Sequence, residues 1–204
     1  METHGYAEVS LAEIARRYAT DKETIHGYAG AYERHLGHLR SEPMTLLELG
    51  IGGYQDPYQG GESLRMWHDY FVRSEIVGLD IEHKWQPNLP HVHLEQGAQD
   101  DPEVIARLAR AYGPFDVIVD DASHVMELSI ASFDGFWPHV KPGGYYIVED
   151  LNTCYRTEWG GCEAGVTRST TLGHLVHASQ TDEDVESATF YREIAFVRKR
   201  TSET

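Results

Sequence analysis

Apolar positions in the first forty residues recur at helical spacing, and from residue 44 onward the pattern becomes one of short buried strands alternating with helices. Leu11, Ile14, Ala15 and Tyr18 mark one helix face, and a second helical segment surrounds Tyr28-Ala29-Gly30-Ala31-Tyr32-Glu33. The run Met44-Thr45-Leu46-Leu47-Glu48-Leu49 then ends in Gly50-Ile51-Gly52-Gly53, as a buried parallel strand entering a tight turn does. A helix is expected from about Glu62-Ser63-Leu64-Arg65-Met66-Trp67, and Glu75-Ile76-Val77-Gly78-Leu79-Asp80 reads as a second strand closed by an acid. His91–Gln96 is a weaker strand, and Asp101–Tyr112 a helix with Pro102 in its first turn. Phe115–Asp121 and Tyr145–Asp150 are strong strands, the latter after a Lys-Pro-Gly-Gly turn, with a helix over Met126–Phe136 between them.

Alternating strands and helices predict a doubly wound, Rossmann-like α/β fold with a mostly parallel sheet and helices on both faces. Residues 152–170 break the rhythm and read as a mobile loop able to cover a site. A helix over Leu172–Ser179 and two alternating segments in Val185–Arg198 predict a closing helix and an antiparallel terminal hairpin, seven strands in all. With no repeat or linker, residues 1–204 are expected to form one domain: a helical cap (1–40), a core (41–151), the loop (152–170) and the closing elements (171–204).

Composition narrows the setting. Apolar content is 41%, and no window reaches the roughly eighteen apolar residues of a membrane span. The N-terminal stretch has acidic residues and no continuous apolar segment, so a cytoplasmic protein without a secretory signal is expected. Cys154 and Cys162 lack metal or redox spacing and read as two reduced thiols. A formal charge of −16 argues against a nucleic-acid partner. The same charge suits a cationic ligand or a metal, although an acidic solvated surface is the commoner meaning.

In an open parallel sheet, ligands bind outside the carboxyl ends of the strands, which makes the strand-end residues informative. The glycines at 50, 52 and 53 allow a sharp turn and a close ligand approach. Such a turn alone is as often plain turn chemistry, and the full GxGxxG spacing is missing. Asp80 at the next strand end can accept both ribose hydroxyls of an adenosine-containing ligand, so the pair favours a nucleoside. Asp120-Asp121-Ala122-Ser123-His124 and Glu149-Asp150 close two further strands; if these are neighbours, their carboxylates converge. Like charges that close need a proton or a cation between them, and oxygen donors favour Mg²⁺ over Zn²⁺. Asp121, Glu149 and Asp150 are the expected ligands. His124, on the same rim, is the expected general base, since an imidazole of ordinary pKa (~6.5) can take a proton near neutrality. Among twelve histidines it alone sits beside this cluster; His91, His93, His174 and His177 read as surface residues.

These segments, together with Gly60–Trp67 and Val148-Glu149-Asp150-Leu151, resemble the metal-dependent sugar O-methyltransferases, which include enzymes of macrolide deoxysugars and actinobacterial saccharides. The resemblance spans about residues 20–155, and Asp21-Lys22, His26-Gly27-Tyr28 and Tyr32-Glu33 resemble that family's helical cap. It implies a class I methyltransferase fold, S-adenosylmethionine and Mg²⁺ as cofactors, and a small-molecule saccharide acceptor. It also implies Mg²⁺ ligation by Asp121, Glu149 and Asp150, His124 as base, and Glu48, Gly50, Gly52, Ser63, Asp80 and Gln99 around the methyl donor. Family members acting on large glycosides often carry an additional N-terminal domain not found in these 204 residues; the expected acceptor is a deoxysugar glycoside or a smaller or more extended, mannose-type oligosaccharide. A catechol-like acceptor, a non-catalytic donor-binding protein and, on fold alone, a nicotinamide dehydrogenase are the competing readings. Tyr28, Tyr155 and Trp159 serve either as sugar-stacking rings or as anchors, and the oligomeric state, a homo-oligomer included, is left open.

Overall fold

The computed structural model describes residues 9–201; the sequence expectations for residues 1–8 and 202–204 lie outside them. The cap begins with α1 (Leu11–Tyr18), whose start is fixed by a reciprocal capping box between Ser10 and Glu13. Its buried face is Leu11, Ile14 and Ala15, the helical spacing read from sequence. A one-turn helix α2 (Asp21–Thr24) follows, its N-terminal amide at Lys22 met by the Thr20 hydroxyl, and then α3 (Ala29–Leu36).

Seven strands make one sheet: β1 (Met44–Leu49), β2 (Ser74–Asp80), β3 (Val92–Gln96), β4 (Phe115–Asp120), β5 (Val140–Val148), β6 (Val185–Phe190) and β7 (Ala195–Lys199). Their order is β3-β2-β1-β4-β5-β7-β6, parallel from β3 to β5, with β7 antiparallel to both neighbours. Four helices complete the layers: α4 (Glu62–Tyr70), α5 (Pro102–Tyr112), α6 (Met126–Phe136) and α7 (Thr171–Thr181). Consecutive β-strand residues point to opposite faces, and here each face has its own core. Leu46, Val117, Val119 and Ile147 pack with the cap and α4. Leu47, Ile118, Tyr146 and Val148 pack beneath α5, α6 and α7. Burial on both faces is why these strands read as continuous apolar runs instead of alternating ones.

Between β1 and β4 the winding reverses, and there the site forms. The registers Leu49↔Leu79, Leu49↔Asp120 and Asp120↔Val148 end four strands at one level, so residues 50, 80, 121 and 149 share a rim.

Both ends of β5 differ from expectation. Lys141-Pro142-Gly143-Gly144, read as a turn, lies inside β5, where pairing with β4 shifts register between Phe115 and Val117. Gly144 permits this because a Cβ there would come within 2.7 Å of the Asp116 carbonyl oxygen. The strand also ends at Val148, which puts Glu149 and Asp150 beyond it. Residues 152–170 are shaped by two short 3₁₀ turns, Leu151–Tyr155 and Thr157–Trp159, with Thr153, Cys154 and Thr170 buried. No helix among the described residues is long and apolar enough to cross a membrane.

Candidate active site

The turn after β1 shapes the first half of the site. Gly50 holds φ +91°, and a Cβ on it would sit 2.2 Å from the Asp121 carbonyl oxygen. Only glycine fits a left-handed turn that runs this close to the neighbouring strand tip. The turn opens a cavity of about 420 Å³ lined by Gly50, Gly52, Asp80, Gln99, Asp121 and Ser123, among others. Asp80 accepts hydrogen bonds from the backbone N–H of Ile51 and of Glu82, 2.9 Å each, which fixes its carboxylate in the cavity wall.

Glu48 and Ser63 stand one layer behind. Glu48 is fully buried, and its Oε2 accepts from the Ser63 hydroxyl at 2.9 Å and the Trp67 indole at 3.1 Å. Gln99 lines the cavity, but its polar atoms serve the scaffold. Its amide donates to Asp120 Oδ1 (3.3 Å) and Ser132 (2.9 Å), while its Oε1 accepts from the Ser123 N–H at 3.0 Å. Burial pushes the Asp120 carboxyl up to about 7, against the hydrogen bonds from Tyr146 and Gln99.

The second half of the site is the carboxylate rim, and it divides in two. Asp121, His124 and Asp150 each offer a ligand atom within 4.8 Å of the others. His124 Nε2 lies 3.9 Å from Asp121 Oδ1 and 3.7 Å from Asp150 Oδ2. Glu149 faces inward instead: one oxygen accepts from the Tyr32 hydroxyl and the other from Lys22 Nζ at 2.9 Å. Asp150 turns outward because its backbone adopts φ +54° directly after Glu149.

Lys22, read in the sequence only as part of the helical cap, has a place at the site that sequence reading missed. Its ammonium, 1% exposed, sits 2.5 Å from Asp121 Oδ2, 2.9 Å from Glu149 Oε2 and 3.1 Å from Glu48 Oε1. The Glu48 contact is an ion pair in which that oxygen has no aligned hydrogen-bond donor. Burial alone would lower the Lys22 pKa; Asp121, Glu149 and Glu48 together hold it well above the usual lysine range. Burial, then Asp121, drive Glu149 upward against Lys22 and Tyr32. Only the acidic tips betrayed a need for a cation. The lysine that meets it lies 99 and 127 residues away from two of them.

The aromatic residues separate by role. Tyr28 is buried and donates to Asp150 Oδ1 at 2.8 Å, so it anchors the rim. Trp159 approaches the His124 ring edge-on, with centroids 6.1 Å apart, while Tyr155 is half exposed and packs over Gly165. On the far side of Asp150, His26 and Glu193 line a second cavity of about 630 Å³ with Tyr28, Arg34, Asn152 and Arg192. The surface histidines are where they were expected: His91 and His93 flank Glu75, and His174 faces Asp134.

This strand order, with its site at the β1/β4 reversal, is the class I methyltransferase fold. The chain is homologous to sugar O-methyltransferases of actinobacterial antibiotic pathways. It is 39% identical to 8-demethyl-8-alpha-L-rhamnosyl tetracenomycin-C 2'-O-methyltransferase of Streptomyces olivaceus, across 93% of this chain and 54% of that one. It is 44% identical to demethylmacrocin O-methyltransferase of Streptomyces fradiae, across 82% and 43% respectively. A solved MycE methyltransferase from the mycinamycin pathway, in complex with Mg, SAH and mycinamycin VI, superposes with a TM-score of 0.88 at 38% identity, covering 96% of this chain and 56% of that one. The chain thus spans about half the length of the relatives it matches. No family model matches it.

Proposed function

We propose that this chain is an S-adenosylmethionine- and Mg²⁺-dependent O-methyltransferase that methylates a saccharide hydroxyl. The observation that carries this reading is the row Asp121–His124–Asp150, which runs from the wall of the first cavity to a carboxylate held by Tyr28 and His26 of the second cavity's lining. The first cavity has the glycine turn and ribose-facing acid suited to the donor. The second, polar and rimmed by Tyr28, Arg34 and Arg192, suits a sugar. The relatives named above act on sugars, which favours a saccharide over a catechol-like acceptor.

The rim fits a hard divalent ion. Asp121 and Asp150 supply oxygens on the exposed side, with positions left for water or acceptor hydroxyls. Glu149, the third expected ligand, would join them only on giving up its Tyr32 contact, with Lys22 left in place. When bound, the sulfonium donor supplies the methyl group and the ion steadies developing alkoxide charge. The residues of the chain do the positioning. His124 Nε2, held between two carboxylates, takes the hydroxyl proton as oxygen attacks in line. Trp159 and the 152–170 segment exclude water over His124, closing as a mobile cover. The unpaired thiols Cys154 and Cys162 suit a reducing, cytoplasmic setting.

A labelled methyl donor, tested with a saccharide panel in Mg²⁺ and then in EDTA, decides the matter. Metal-dependent label transfer to a sugar is the expected result; transfer undiminished in excess chelator would remove the metal from the reading.

A further inference from the structure

We propose that Lys22 is a positioning residue, a resident ammonium that orients Asp121 for the metal and couples the metal site to the donor cavity through Glu48. The inference rests on the metal-dependent reading above and adds to it a second cationic position, one that belongs to the chain itself.

The two oxygens of Asp121 are divided. Oδ2 is held by Lys22 at 2.5 Å, and Oδ1 is turned toward His124 and Asp150. An ion on the rim therefore meets a carboxylate whose rotation is already fixed from behind. The ammonium also bridges Asp121 and Glu149 from the buried side of the rim. The third partner of Lys22 belongs to the donor side. Glu48 precedes the glycine turn by two residues and accepts from Ser63 and Trp67 in α4. The same turn and helix are joined again by the Gly61 N–H donating to the Ile51 carbonyl at 2.7 Å. A contiguous path thus runs from the donor loop through Glu48, Lys22 and Asp121 to the rim. Lys22 is presented by α2, so docking of the cap and assembly of the site are one event.

Removal of a group that orients a metal ligand typically weakens metal affinity by about tenfold or more. The test uses the full chain, Mn²⁺ as the metal probe read by electron paramagnetic resonance, and S-adenosylhomocysteine as the donor-site probe read by calorimetry. In Lys22→Met, which keeps length and apolar stem, Mn²⁺ affinity should fall by about tenfold. The gain in Mn²⁺ affinity produced by S-adenosylhomocysteine, expected to be about fivefold in the unaltered protein, should vanish. A lysine that served only the fold would lower the melting temperature and leave that ratio unchanged. Mn²⁺ affinity that rises or stays within about twofold of the unaltered protein, or a coupling ratio that stays intact, overturns the proposal.

Should Lys22→Met fail to fold, Glu48→Gln asks the same question from the other end. It breaks the link between Lys22 and the donor turn, and should abolish the gain in Mn²⁺ affinity produced by S-adenosylhomocysteine although Glu48 lies behind the rim. No change in that variant overturns the coupling. An unaltered protein that binds no Mn²⁺ overturns the metal reading itself, which separates the two failures.

Discussion

His124 and Asp150 both hold left-handed backbone, at φ +55° and +54°, and their side chains meet with Nε2 3.7 Å from Oδ2. Neither is glycine, and each such residue costs on the order of 1 kcal/mol or more, sustained only where surrounding structure over-determines it. Two adjacent loops therefore carry strain at the same place. Their common effect is to swing an imidazole and a carboxylate outward over the tips of β4 and β5. The first prediction follows from that convergence.

His124→Ala should reduce methyl transfer by about a hundredfold or more, the usual contribution of a positioned base. Donor binding should be preserved, because His124 is not among the residues lining the donor cavity. Initial rates with labelled donor, beside calorimetry with S-adenosylhomocysteine, separate the two; a fall in donor affinity matching the loss of rate would move His124 out of the base role.

Asp80→Asn should weaken donor affinity by about tenfold or more, as expected when a charge-assisted hydrogen bond is lost. The backbone N–H groups of Ile51 and Glu82 donate to different oxygens of Asp80, so asparagine keeps one of the two hydrogen bonds and a modest loss of stability, about 1 kcal/mol, should accompany the loss of affinity. Equal donor affinity in this variant would place the ribose elsewhere.

Gly50→Ala should damage both fold and binding. The added Cβ meets the Asp121 carbonyl oxygen at 2.2 Å, and alanine resists φ +91°. A loss of more than about 1 kcal/mol in stability is expected, measured by denaturant titration. Wild-type stability in this variant would show that the turn yields.

Tyr32→Phe should cost about 1–3 kcal/mol, because it strips a hydrogen bond from the buried Glu149 carboxylate. Excess Mg²⁺ should restore part of the loss, since the freed oxygen becomes available to the ion. Thermal melts with and without Mg²⁺ read the difference, and an identical deficit in both would confine Glu149 to the interior.

The parallel sheet was legible in the sequence because both faces of β1, β2, β4 and β5 are largely buried, which leaves uninterrupted runs such as Val117–Val119, whereas the edge strand β3 is half-exposed and read weakly. The rim was legible because strand tips line up: Asp121 and Glu149 needed only adjacency of β4 and β5 to converge. What sequence could not convey was orientation. Glu149 and Asp150 are chain neighbours, yet one left-handed residue sends them to opposite sides of the rim. Likewise, Lys22 sits in a four-residue helix with no periodicity to betray it, and its partners come from three other strand ends.

The two cavities differ in what they are made of. The cavity assigned to the donor is framed by the tips of β1, β2, β3 and β4 and the turns that leave them, whose positions the sheet register dictates. The cavity beyond Asp150 is framed by the connection from α2 to α3, the turn between β6 and β7, and Asn152, with the Leu151 N–H donating to the Glu193 carbonyl to hold turn and rim together. Loops tolerate insertion and exchange where strand tips do not. On the function proposed above, acceptor choice can therefore diversify by rewriting two surface connections while the strand-tip cavity stays as it is.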